Sequence, residues 1–147
     1  MISETDAAYI AGLFDGEGCV QFKDYREKKK KHTGEGYRYA NTKRITLEVA
    51  MTCKSVIYWL HDSLGCGSVK EIDKTKSPTG KPYYKKQYRW RCSYRDSYYV
   101  ALLIQPYVHV KAEEINNIIK HYSHLTRSQV KAKVIDIANY KMYRYKS

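Results

Sequence analysis

Ile10-Ala11-Gly12-Leu13-Phe14-Asp15-Gly16-Glu17-Gly18 is the stretch whose reading decides the fold. Ala8, Gly12 and Gly16 recur at four-residue spacing, so they share one face of a helix. Small residues on one face let two helix backbones approach closely. That logic is best documented in membrane dimers, but the geometry needs no lipid. Ser3 and Thr5 suit the N-cap of a helix from Asp6 to Phe14. The helix end carries Asp15 and Glu17 and breaks at Gly18. If two copies pack along the small-residue face, two carboxylates meet near a symmetry axis. They repel unless a divalent cation sits between them. A plainer reading stays open at this point, in which the glycines only end a helix and the acids are solvated.

Outward from that stretch the pattern changes from helical to alternating. In Cys19–Tyr25, Val20 and Phe22 alternate with Gln21 and Lys23. The loop from Lys28 to Gly36 carries four lysines, and Lys28–Lys31 reads as a mobile segment that reaches phosphates. Arg44–Ala50 alternates again, with Ile45, Leu47 and Val49 on one face and Arg44, Thr46 and Glu48 on the other. The plan repeats in Ser68–Lys74, a turn at Ser77-Pro78-Thr79-Gly80, and Tyr88–Tyr94, where Trp90, Cys92 and Tyr94 alternate with Arg89, Arg91 and Ser93. Helices are expected at Lys54–Leu64, ended by Gly65, at Arg95–Gln105, ended before Pro106, at Ala112–Tyr122, and at about Ser128–Tyr143. The order is α-ββ-α-ββ-α with added C-terminal helices, an α+β class in which the two α-ββ halves form a structural repeat without residue identity.

The chain has 147 residues, the size of one domain covering 1–147. Its formal net charge is +12 and its pI about 9.5. Residues 19–48 hold nine basic and four acidic residues, and residues 68–95 hold nine and two; the remainder balances at nine and nine. Two cationic hairpins are thus set in a neutral helical frame. This argues for a polyanionic partner, nucleic acid first and an acidic membrane surface second. With 43% hydrophobic and 14% aromatic residues the chain is not a disordered basic tail. No apolar run approaches a membrane span, and no secretion signal is visible, which suits an intracellular, reducing compartment such as a bacterial or phage cytoplasm or an organelle. Cys19, Cys53, Cys66 and Cys92 form no zinc motif and read as reduced, mostly buried thiols.

Residues 10–18 resemble the signature of the LAGLIDADG homing endonucleases. Ala11, Gly12, Leu13, Asp15 and Gly18 keep the pattern, and Ile10, Phe14, Gly16 and Glu17 depart from it conservatively. One copy is present, as in the members that work as homodimers. The segment Gln105-Pro106-Tyr107-Val108-His109-Val110-Lys111 resembles the family segment that ends in an active-site lysine. The resemblance covers most of residues 6–122. It implies an antiparallel, saddle-shaped DNA-binding sheet on an α-ββ-α-ββ-α core, and an intron-encoded, metal-dependent hydrolase.

By that resemblance, Glu17 and the carbonyl of Gly16 hold magnesium or another divalent ion at the dimer axis, and Glu17 and Lys111 are the catalytic pair. Asp15 caps or packs at the dimer interface with Ala8, Ala11, Gly12 and Gly16. A homodimeric branch carries a Gln and an Arg at the positions of Met51 and Ser55, so either the water network differs here, with Lys54 the adjacent substitute cation, or the nuclease is impaired. Double-stranded DNA would be read by outward side chains of the sheet: Gln21, Lys23, Tyr25, Arg44, Thr46, Glu48, Lys70, Gln87, Arg89 and Arg91. A β-ribbon fits the major groove, where Arg and Lys suit guanine and Gln suits adenine. For any one lysine a phosphate contact is the more ordinary role. Two subunits would cover about two turns, ~20 bp, of a pseudo-palindrome. The alternative is a non-cleaving binder on the same fold, an intron maturase whose partner is intron RNA.

Overall fold

The computed structural model describes residues 2–76, 78–82 and 84–123. Helix α1 spans Glu4–Glu17. Ser3 caps it, accepting the Asp6 N–H at 3.1 Å, so Thr5 lies inside the first turn. The last turn closes with the Gly18 N–H on the Phe14 carbonyl. A Cβ at Gly18 would stand 2.6 Å from the Phe14 backbone, so only glycine lets the chain leave the helix straight into a strand there.

Strands β1 (Gly18–Lys30) and β2 (Tyr37–Met51) form a long hairpin. Helix α2 (Lys54–Leu64) follows, then β3 (Ser68–Ile72), a 3-10 turn at Lys74–Lys76, and β4 (Gln87–Ser93). Helices α3 (Arg95–Ile104) and α4 (Ala112–Tyr122) complete the described part. The expected helix at Ser128–Tyr143 lies outside the described residues. The sheet is antiparallel in the order β1-β2-β4-β3, so the two hairpins lie side by side with β2 and β4 central. The repeat expected from the sequence is therefore present as topology.

One face of the sheet is packed beneath the helices. Ile45, Leu47, Val49, Trp90 and Cys92 are buried there with Phe14 of α1, Ile57 and Leu60 of α2, and Val100 and Ile104 of α3. Phe14 and Trp90 meet edge to face at 5.9 Å, and the Trp90 indole N–H donates to the Cys66 carbonyl at 2.9 Å. The largest core ring thus has its polar atom satisfied. Tyr98 stacks on Tyr122 at 5.3 Å, joining α3 to α4.

Four expectations change. Lys28–Lys30 belong to β1, paired with Tyr37–Tyr39, so the loop shrinks to residues 31–36. A lysine run hides strand alternation because all its members are polar. The β3–β4 connection is no tight turn: Ile72 pairs with Gln87, leaving residues 73–86 as a long excursion. Tyr94 is not on the apolar face. The strand ends at Ser93, and Tyr94 turns out at φ 53°, its N–H on the Ile45 carbonyl. Finally, Cys19 and Cys53 are exposed, and only Cys66 and Cys92 are buried.

Candidate nucleic-acid interface and metal site

Pairing fixes which side chains share the open face. Residues directly opposite each other in a ladder point the same way. Gln21 faces Thr46, Lys23 faces Arg44, and Tyr25 faces Thr42. Glu48 faces Arg91, Lys70 faces Arg89, and Ile72 faces Gln87. All ten side chains singled out in the sequence therefore lie on the face away from the helices. The sequence missed Lys29, Arg38 and Thr42, which continue that face along the hairpin.

The electrostatics of this face are unusual. Lys23 stands opposite Arg44, Lys29 opposite Arg38, and Lys70 opposite Arg89. Like charges directly opposite each other destabilise a sheet. Two acids on this face are held within it. Glu48 accepts from the Arg91 Nε at 2.7 Å with Arg89 at 3.9 Å, and Glu27 pairs with Lys29 at 3.2 Å. The Arg44 guanidinium carbon lies over the Tyr25 ring at 4.2 Å. The face is a cationic surface whose repulsion is only partly relieved among the described residues.

At one end of the sheet sits the end of α1. Asp15 there receives the backbone N–H groups of His109 at 2.8 Å and Lys111 at 3.1 Å. Burial pushes its carboxyl up, but the backbone N–H donors of His109, Lys111 and Val110 outweigh this and hold it below the usual carboxylate range. The segment before α4 that carries Lys111 is thereby docked to the helix that carries Glu17. Asp15 is an anchor inside the chain, whereas the sequence placed it at a dimer interface; its carboxyl is satisfied by these backbone groups without a partner helix.

Glu17 is exposed at the helix terminus, and Gly16 beside it is exposed too. Carbonyls of a last helical turn lack intrahelical donors. A carboxylate and such a carbonyl are the hard oxygens a divalent cation prefers, but they are fewer than the roughly six it takes. Among the described residues no group of three His, Cys, Asp or Glu could hold a metal within one chain. The donor set can supply part of such a shell, and the described residues of one chain do not complete it.

Ala8, Gly12 and Gly16 are exposed in one stripe along α1. A Cβ at Gly12 or Gly16 would meet nothing within 4 Å. Ala11 does not belong to that stripe. It is fully buried with Ala7, Ile10 and Phe14 against the core, so its side chain cannot line an intersubunit face. Met51 packs against the core on the helix side, opposite Tyr88, and the Ser55 hydroxyl is engaged with the Cys53 thiol at 3.3 Å. Lys54 lies near the Tyr58 and Tyr88 rings, at 5.7 and 5.8 Å, and Tyr88 is on the helix side. It does not replace a cation on the open face.

No family model matches the sequence, and no curated protein matches it. Solved structures do match. The homing endonuclease I-CvuI, in complex with the I-CreI target, superposes with a TM-score of 0.60 at 17% identity, over 92% of this chain and 76% of that one. I-TnaI gives 0.53 at 17% identity, over 94% and 87%. The intron-encoded I-CeuI, complexed with DNA, gives 0.53 at 15% identity, over 93% and 66%. The chain has the LAGLIDADG homing-endonuclease fold. In that fold the motif helix α1 lies against the sheet with Asp15 turned to the Lys111 segment, and the cationic face is the open side of the sheet. No helix among the described residues is long and apolar enough to cross a membrane.

Two outcomes follow from this geometry. Asp15→Asn keeps the shape but loses the charge that strengthens the two N–H bonds, and should cost about 1–2 kcal/mol of stability at neutral pH. Because the folded carboxyl titrates below its ordinary value of 3.8, that difference is complete above this value and vanishes as pH falls through the lower folded one. Thermal melts of both proteins across the acid range should therefore converge at low pH. Lys23→Thr, by contrast, removes a like-charge pair and should stabilise the free protein by roughly 0.2–1 kcal/mol at low salt. The gain, read from urea midpoints, should shrink as salt screens the repulsion.

Proposed function

We propose that this chain is a site-specific double-stranded DNA endonuclease that works as a homodimer with a divalent metal. The observation that carries the reading is the set of like-charged pairs on the open face. A sheet that opposes Lys23 to Arg44 and Lys70 to Arg89 gives up stability that a polyanion restores. The alternation of Gln, Thr and Tyr with those cations supplies groups that read base edges in a major groove. The I-CvuI and I-CeuI structures that share the fold are complexes with DNA, which supports the choice of DNA.

The chemistry belongs at the end of α1. Glu17 and the Gly16 carbonyl would hold the metal, which lowers the pKa of bound water and neutralises charge on the phosphodiester. Lys111 would place its ammonium by the phosphoryl oxygens, held in position through the Asp15 anchor. The stripe Ala8, Gly12 and Gly16 would let two α1 helices cross closely, bringing both Glu17 carboxylates to one axis. Glycine inside a helix costs about 0.5–1 kcal/mol relative to alanine. Nothing within the described chain approaches Gly12 to account for that cost. Two-fold symmetry in the protein would then be mirrored by a pseudo-palindromic target.

The test is cleavage of a randomised duplex library in magnesium, with the cut ends sequenced. Wild-type protein should cut at a pseudo-palindrome, and Glu17→Gln should lose cutting by at least about 1,000-fold while keeping duplex affinity. Salt-sensitive binding without any cutting, unchanged in Glu17→Gln, would replace the endonuclease by a non-cleaving binder. Gly12→Leu should leave the monomer as stable or about 1 kcal/mol more stable. It should also abolish the dimer in sedimentation and cutting with it. A Gly12→Leu protein that still sediments as a dimer and cuts would put the axis elsewhere.

A further inference from the structure

The β1–β2 hairpin continues past the four-stranded part of the sheet. β4 accompanies β2 only from Thr46 to Met51, whereas β1 pairs with β2 as far as Lys30 and Tyr37. Residues 23–30 and 37–44 therefore form a two-stranded ribbon with two faces. One continues the open cationic face. The other carries Asp24, Arg26, Lys28 and Lys30 on β1 and Tyr37, Tyr39, Asn41 and Lys43 on β2. A period-two strand points these side chains away from anything bound to the first face.

This reverse face is ordered by its own contacts. Asp24 pairs with Lys43 at 2.9 Å. The Arg26 guanidinium lies over the Tyr39 ring at 4.2 Å, and the Lys28 ammonium over Tyr37 at 4.1 Å. Both contacts run along the same diagonal of the ladder, so they repeat as a stair of cation on ring. Such pairs stiffen a ribbon that has little core beneath it. Stiffening alone does not require the rings to stay open, yet Tyr37 remains 57% exposed and Tyr39 55%. Of the charged side chains on this face only Asp24 is acidic, and it is already paired.

We propose that this reverse face is a second nucleic-acid surface, one that takes a single strand by stacking unpaired bases on Tyr37, Tyr39 and the Arg26 plane. Exposed aromatic rings interleaved with cations are what an unpaired strand uses, since each base offers a flat face and each nucleotide a charge. A duplex offers phosphates to cations but keeps its base faces stacked inside, so it has no use for the rings. The inference goes beyond the cleavage reading and stands without it, because it rests on the opposite face.

The experiment is fluorescence anisotropy with labelled oligo(dT) and oligo(U), with and without saturating duplex. It is run at about 0.3 M salt, where purely ionic binding fades. Both oligomers should still bind. Tyr37→Ala and Tyr39→Ala should each weaken them about tenfold, and Tyr39→Trp should hold wild-type affinity. Saturating duplex should leave oligomer affinity unaltered. Equal affinity for the two oligomers would point to bases alone, and a preference for oligo(U) to an RNA strand whose 2′-hydroxyls add contacts. Displacement by duplex, or Tyr37→Ala and Tyr39→Ala proteins that bind as wild type does, would overturn the proposal. So would loss of all binding at that salt. If the duplex fails to bind but the oligomers bind as described, the cleavage reading falls and this one remains.

Discussion

Every side chain in the sheet takes its direction from the row Ile45, Leu47 and Val49. These three are buried beneath the helices, and a pleat that repeats every two residues then leaves Arg44, Thr46 and Glu48 only the open side. Register carries the choice outward. Val20 and Phe22 sit beside Leu47 and Ile45, which turns Gln21 and Lys23 out. Trp90 and Cys92 sit beside Val49 and Leu47, which turns Arg89 and Arg91 out. A slip of one residue in any ladder would put an arginine or lysine under the helices, and an unpaired buried charge costs several kcal/mol. The apolar core and the cationic face are therefore one constraint seen from two sides.

That constraint explains how the molecule can hold features that weaken it. Lys23 opposite Arg44 and Lys70 opposite Arg89 each destabilise the sheet, and Gly12 and Gly16 weaken α1. None of these touches the core. The inner face of α1 is Ala7, Ile10, Ala11 and Phe14, all fully buried, and it holds the helix in place whatever its outer stripe contains. Local choices that run against stability gather at surfaces left for other molecules, as expected where function and folding make different demands.

The sequence was informative where burial and periodicity coincide. The bounds of α2 and α4 agree with those read from the sequence, because Val56, Ile57, Leu60 and Leu64 mark one helix face and Gly65 stops it. Most of the outward residues were legible because they neighbour an apolar residue whose direction is fixed. Legibility failed where that contrast is missing. From Lys28 to Lys31 every side chain is charged, so a strand and a loop read alike. Tyr37 and Tyr39 are aromatic yet exposed, so they gave no sign of a face. Ala11 and Ala8 are the same residue three apart, and only the packing of Phe14 and Ile10 assigns one to the core and the other to solvent. The contact of Asp15 with residue 109 spans 94 positions and leaves no local trace.

The two acids of the motif divide their work by helical geometry. Asp15 and Glu17 are two residues apart, about 200° around the axis at 3.6 residues per turn, so they leave the helix on nearly opposite sides. Asp15 is half-buried and committed to the backbone before α4, while Glu17 is exposed and has no such anchor among the described residues. Acids spaced three or four apart would share one face. Both would then compete for the same amides, or both would face the same solvent. The spacing seen here lets one carboxylate fix the position of Lys111 while the other stays available as an oxygen donor. Because α4 also reaches β1, with His121 edge-on to Phe22 at 5.8 Å, the segment held by Asp15 is braced at its far end by the sheet itself. The end of α1 and the cationic face are thus parts of one packed body, and under the proposed function a strand held on the sheet would meet Glu17 and Lys111 in a fixed relation.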